Sequence, residues 1–95
     1  MTVKDYDLAK EILMILPYID KNYLKKLSWN FINNLNDLAS LSTKNFYFEK
    51  DKTFLEMNIS DECKDFLAML YFNEVDIKER KDLLNIWNYN ETKND

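Results

Sequence analysis

Asp61 and Asp65 stand four residues apart, with Glu62 beside them and Cys63 in between. On a helix, residues i and i+4 share a face, so these carboxylates have the spacing of an acid–base pair or of ligands to Mg²⁺ or Ca²⁺. A calcium ion takes about six to eight oxygen ligands from a shaped loop, and this stretch has neither the EF-hand spacing nor its glycine. Acids in the first turn of a helix also complement the helix dipole; that reading is preferred. Cys63 sits near the same dipole end, which lowers a thiol pKa and suits a reactive or redox-sensing cysteine. Four residues before Leu67, it also occupies a core-facing position, where a cysteine is a small hydrophobe. Buried filler is the expectation.

The rest of the chain narrows the chemistry. It has no histidine, which removes His-based metal sites, Ser-His-Asp and Cys-His nucleophiles and the commonest general base. It has no glycine, so phosphate loops, the dinucleotide-binding fingerprint and the nucleophile elbow are all missing. A single cysteine cannot close an intramolecular disulfide or build structural zinc within one chain. Neither an enzyme nor a cofactor-binding or metal-binding protein is expected.

Ninety-five residues, 46% hydrophobic and 15% aromatic, describe one folded domain with a modest core. The formal charge of −4 is unevenly spread. Residues 1–52 hold seven acids and eight bases; residues 53–95 hold ten acids and five bases. Between Thr53 and Asp76, Lys64 is the single base against Glu56, Asp61, Glu62, Asp65, Glu74 and Asp76. The basic stripe that supplies most nucleic-acid affinity is missing, and Lys21, Lys25 and Lys26 read as a solvated helix face. Twelve lysines against one arginine, with twelve asparagines, match the usage of an A/T-rich genome. No signal peptide and no apolar run of membrane-spanning length are seen, so a cytoplasmic setting is expected.

These residues must be positioned by helices. Leu8, Ile12, Ile15 and Ile19 mark one helical face, with Leu13 and Leu16 widening it. Thr2 or Asp5 is a candidate cap, and Pro17 predicts an end or kink near Leu16. Asp20 caps a second segment, about Lys21–Leu38, striped by Leu24, Leu27, Phe31, Leu35 and Leu38; Ser28 is a candidate break within it. After a loop, residues 46–57 form either a small hairpin or one extended segment laid on the helices, with Phe46, Phe48, Phe54 and Leu55 as pegs. Ser60 caps the central helix, whose second half, Phe66–Phe72, is nearly all apolar and therefore buried on most sides. Asp76 and Glu79 match a capping box before a last helix, about Ile77–Tyr89, with Leu83, Leu84, Ile86 and Trp87 inward. Residues 1–89 thus form a single helical domain and 90–95 a polar tail. The fold expected is mainly α, with four to five short helices and a small extended or β-hairpin element before the central helix.

Trp29 lies off the Leu24–Leu35 stripe. An exposed Trp beside acids has the composition of a protein–protein hot spot; the alternative is that it packs beneath the Phe46–Phe54 segment. Several stretches also carry a likeness. Ile12–Pro17, Lys26-Leu27-Ser28, Phe46-Tyr47-Phe48-Glu49, and Leu55–Ser60 leading into Phe66-Leu67-Ala68-Met69-Leu70-Tyr71 resemble a family of short Firmicutes proteins. Here Ser28 replaces the family's proline and Ile59 its leucine. The resemblance implies a corner at Ser28 and an extended stretch at Tyr47, and it implies no activity.

The functional expectation is a small acidic protein-binding module that occupies a basic partner surface. A phage or mobile-element inhibitor of a nuclease, anti-CRISPR-like or otherwise, fits this profile. So does an antitoxin or immunity protein; a helical DNA-binding regulator is a further alternative. The partner-binding candidates are Glu56, Asp61, Glu62, Asp65, Glu74 and Trp29. A protein partner is expected rather than nucleic acid or membrane, and a homo-oligomer is compatible with the composition.

Overall fold

The computed structural model describes residues 3–55, 59–76 and 78–85, with side chains from residue 8 onward. Its helices are α1 (Val3–Ile15), α2 (Lys21–Lys25), α3 (Leu35–Ala39) and α4 (Asp61–Phe72), with 3-10 turns at Leu16–Tyr18 and Trp29–Phe31. Residues 78–85 are also helical and are labelled α5. The chain is mainly α. The Thr2 cap, Glu56 and Met57, Ile77, the inward positions of Ile86 and Trp87, Tyr89 and the tail 90–95 lie outside the described residues, as does the Asp5 side chain.

The apolar face of α1 is the core face. Leu8, Ile12, Ile15 and Leu16 are fully buried and Ile19 nearly so. Pro17 has no N–H to continue the helical ladder, so α1 stops at Ile15 and the chain tightens into the Leu16–Tyr18 turn. Asp20 then restarts a helix: its carboxylate accepts from the N–H groups of Asn22 (2.7 Å) and Tyr23 (3.4 Å).

The stretch 21–38 breaks more often than its spacing implies. α2 ends after five residues, and Ser28 is extended and makes no side-chain cap bond. A 3-10 turn follows, and Ile32 is extended again. A further interruption comes at Asn34 and Asp37, whose side chains compete for backbone partners. Asn34 Oδ1 accepts from Asp37 N at 2.7 Å, and Asp37 Oδ2 accepts from Asn33 N at 3.0 Å. The backbone freed there pairs elsewhere, in an isolated antiparallel bridge between Asn34 and Thr53. Phe54 N donates to Asn33 O at 2.7 Å and Leu35 N to Lys52 O at 3.1 Å.

That bridge is the extended element before the central helix. No hairpin forms among the described residues, since Thr53 pairs with Asn34 and not with the Phe46 run. Phe46 and Phe48 stack at 6.3 Å, as i and i+2 do on one side of an extended chain, while Tyr47 between them is 89% exposed. Phe54 is a fully buried peg and Phe46 and Phe48 are partly buried, but Leu55 is not a peg: it is 84% exposed.

α4 packs against α1 and both 3-10 turns. Ser60 Oγ accepts from Cys63 N at 3.1 Å, the expected cap. Cys63, Leu67, Ala68, Leu70 and Tyr71 point inward. At the C-terminal end, Asn73 is the cap and Glu74 takes φ 55°, its N–H donating to Tyr71 O at 3.1 Å. This left-handed position is usually glycine, and the chain has none. Asp76 Oδ1 accepts from Glu79 N at 2.9 Å, starting α5. Leu84 is fully buried there, whereas Leu83, expected inward, is turned to solvent.

Candidate functional site

The capped first turn of α4 holds Asp61 and Glu62, and Asp65 follows one turn on from Asp61; all three are exposed. Met69, 48% exposed, continues the same row one turn on, because 61, 65 and 69 are spaced by four. The inward row at Cys63, Leu67 and Leu70 fixes the helix in the core. The acids therefore project from a rigid element, whose dipole they complement at its N-terminal end.

Of the other candidates, Glu74 lies at the opposite end of α4. Thirteen residues at about 1.5 Å each set it roughly 20 Å along the axis from Asp61. It also pairs with Lys21 Nζ at 3.1 Å. It belongs to the helix C-terminus and not to the acidic row.

Trp29 is corrected outright: at 7% exposure it is a core residue. It packs beside Lys64, whose Nζ lies 5.8 Å from the Trp29 ring and 5.0 Å from that of Phe54. The Leu24–Leu35 stripe loses its phase at the Ser28 break, so the alternative reading, a packed Trp29, is the one that holds. The 3-10 turn rotates Trp29 in and its neighbour Phe31 out, leaving Phe31 78% exposed.

Lys64, the single base in its region of the sequence, ties α4 to two other segments. Only 5% exposed, it runs inward from α4. Its Nζ donates to the carbonyls of Ile32 (3.3 Å) and Trp29 (3.5 Å) and lies 3.5 Å from Asp61 Oδ1. The exposed Phe31 falls between those two carbonyls in the chain, and the exposed Leu55 follows Phe54. Two exposed apolar side chains and the acidic row are thus carried by segments that meet at one buried ammonium. Phe31 and Leu55 could have been suspected only from the broken helix and the bridge that place them.

Among the described residues, no three His, Cys, Asp or Glu side chains converge as a metal-ligand group, and no helix is long and apolar enough to cross a membrane. Compared with protein families, with curated proteins and with solved structures, the chain matches none.

Proposed function

We propose that this protein is a small acidic protein-binding module that covers a basic surface of its partner. The observation carrying this reading is the exposed row Asp61, Glu62 and Asp65 on a capped helix, with exposed Phe31 and Leu55 on the segments tied to that helix through Lys64. Acids orient and speed encounter with a basic surface, while exposed large apolar side chains supply contact area that water would surrender. Basic surfaces are common on proteins that handle nucleic acids, so the module fits an inhibitor of such a protein. A nuclease blocked by a phage or mobile-element product, anti-CRISPR-like or otherwise, is the case proposed. An antitoxin or immunity protein would use the same surface. A DNA-binding regulator is disfavoured, because α3 is five residues long and carries no basic side chain.

The test is comparative capture from bacterial lysate. The tagged protein and a D61K/E62K/D65K variant serve as matched baits, and the captured protein is then assayed for nuclease or toxin activity with and without the module. The proposal expects a partner that is lost on charge reversal, weakened by Phe31→Ala, and inhibited by the wild type. Capture indifferent to both changes, or retardation of duplex DNA by the purified protein at low salt, overturns it.

A further inference from the structure

A cleft of about 800 Å³ opens between α1, the loop after α3, Lys52 and α5. Its apolar wall is Leu13, Met14, Pro17, Tyr18 and Phe46. Around that wall stand Lys10, Lys44, Lys52, Arg80 and Lys81, with Glu11 the one acid among the described lining residues. In a chain of net charge −4, this concentrates positive charge where the overall balance would not place it. No residue of α4 lines the cleft, so it is separate from the acidic row.

The charges differ in how they are held. Lys52 pairs with Glu11 at 2.9 Å, which neutralises the lone carboxylate. Lys44 Nζ instead lies 4.8 Å from the Tyr18 ring centre and 5.5 Å from that of Phe46. Tyr18 and Phe46 meet edge to face at 5.6 Å, and Thr43 N, donating to Tyr18 O at 2.8 Å, ties this loop to the end of α1. The Arg80 guanidinium lies 5.7 Å from the Tyr71 ring centre. An aromatic face positions a cation without cancelling its charge, so Lys44 and Arg80 keep theirs for an anion. Among the described residues, Arg80 Nε is also a buried donor without an acceptor, and Glu11 Oε2 a buried acceptor without a donor. Unpaired buried groups of this kind are uncommon in native proteins.

Size and lining together select the ligand. The volume falls in the range of small-molecule pockets, about 300–1,000 Å³, and far exceeds what a bare phosphate or sulfate needs. The charges of Lys44, Arg80 and Lys81 exclude a neutral apolar molecule as the best match, and the apolar wall excludes a purely polar anion. An extended polyanion would meet the net negative field of the whole protein. We propose that the cleft binds a small amphiphilic anion: a carboxylate or phosphate head among Lys44, Arg80 and Lys81, and an apolar body against Leu13, Met14, Tyr18 and Phe46.

The experiment is titration of the isotope-labelled protein with dodecanoate, followed by amide chemical shifts. Decanoate, octanoate, AMP and the uncharged decyl glucoside serve as comparisons. Saturable shifts are expected at residues 10–18, 44–46 and 80–81, and not at 61–65. Affinity should rise with chain length by up to about fourfold for each methylene buried. AMP and decyl glucoside should bind much more weakly than decanoate. The exposed-site variant Lys44→Glu/Lys81→Glu should keep the wild-type spectrum elsewhere and bind dodecanoate about tenfold more weakly or worse. Equal binding of decyl glucoside, shifts scattered over the surface, or an affinity unchanged by the double reversal would overturn the proposal. Cosedimentation with phosphatidylglycerol vesicles without any response to dodecanoate would also overturn it, assigning the face to a membrane surface.

Discussion

The ammonium of Lys64 donates to the carbonyl of Ile32 at 3.3 Å from a side chain that is almost wholly buried. The sole base between Thr53 and Asp76 is thus an internal strut: its head also reaches Trp29 O at 3.5 Å and Asp61 at 3.5 Å. It joins α4 to the 3-10 turn at Trp29–Phe31 and to the extended Ile32 that follows it. Two effects oppose each other here, the desolvation of an ammonium and the hydrogen bonds and ion pair it makes.

Lys64→Met keeps most of the volume and removes the donor. It leaves the Ile32 carbonyl short of a partner, while Trp29 O keeps the N–H of Ile32, and should cost about 1–3 kcal/mol. At about 4–8 °C per kcal/mol for a domain of this size, a thermal melt resolves it easily. A variant as stable as the wild type would mean that desolvation of the charge outweighs its bonds, as occurs for some buried ion pairs.

Ser60, the cap of the central helix, and Ser28, the break in the second segment, should behave differently. Ser60→Ala removes an observed cap to Cys63 N and should cost about 1 kcal/mol in urea denaturation. Ser28 makes no such bond, so Ser28→Ala should stay within about 0.5 kcal/mol of wild type. Equal losses from both would contradict the capping geometry.

Trp29 and Phe31 exchange the roles that their spacing suggests. Trp29→Ala empties a core position and should cost about 3–5 kcal/mol. Phe31→Ala should leave stability within about 0.5 kcal/mol while weakening partner capture. Denaturation of the two variants side by side checks this, and a large loss from Phe31→Ala would place that ring in the core.

Glu74 holds a left-handed conformation that costs a residue with a Cβ roughly 1–2 kcal/mol. Its ion pair with Lys21 is well exposed and worth under about 1 kcal/mol after screening. Glu74→Gly should therefore raise the melting temperature slightly, and Glu74→Ala should not. A lowered temperature for Glu74→Gly would show that the ion pair outweighs the backbone term.

Much of the fold was legible because its signals are local. Asp20, Ser60 and Asp76 cap helices through bonds to N–H groups two or three residues on, and such bonds depend on nothing distant. The Leu8–Ile15 face was legible because α1 is a long unbroken helix, over which a periodic pattern holds. The stripe through Phe31 was misleading because α2 stops at Lys25 and a 3-10 turn follows an extended Ser28, and periodicity then no longer says which side chain faces in. In the candidate site, Asp61, Glu62 and Asp65 were readable from their spacing on α4. Phe31 and Leu55 were not, since their exposure follows from the bridge between Asn34 and Thr53.

By itself, the sequence determined a mainly α chain, its helix starts, the core face of α1 and an acidic outer face on α4. Each of these is set by neighbours within one or two turns. Tertiary structure alone decided that Lys64 is internal, that Trp29 is core, and that Lys10, Lys44, Lys52, Arg80 and Lys81 surround one apolar cleft. Burial and electrostatic potential depend on which distant segments meet. A charge total of −4 cannot show that cations from four parts of the chain converge.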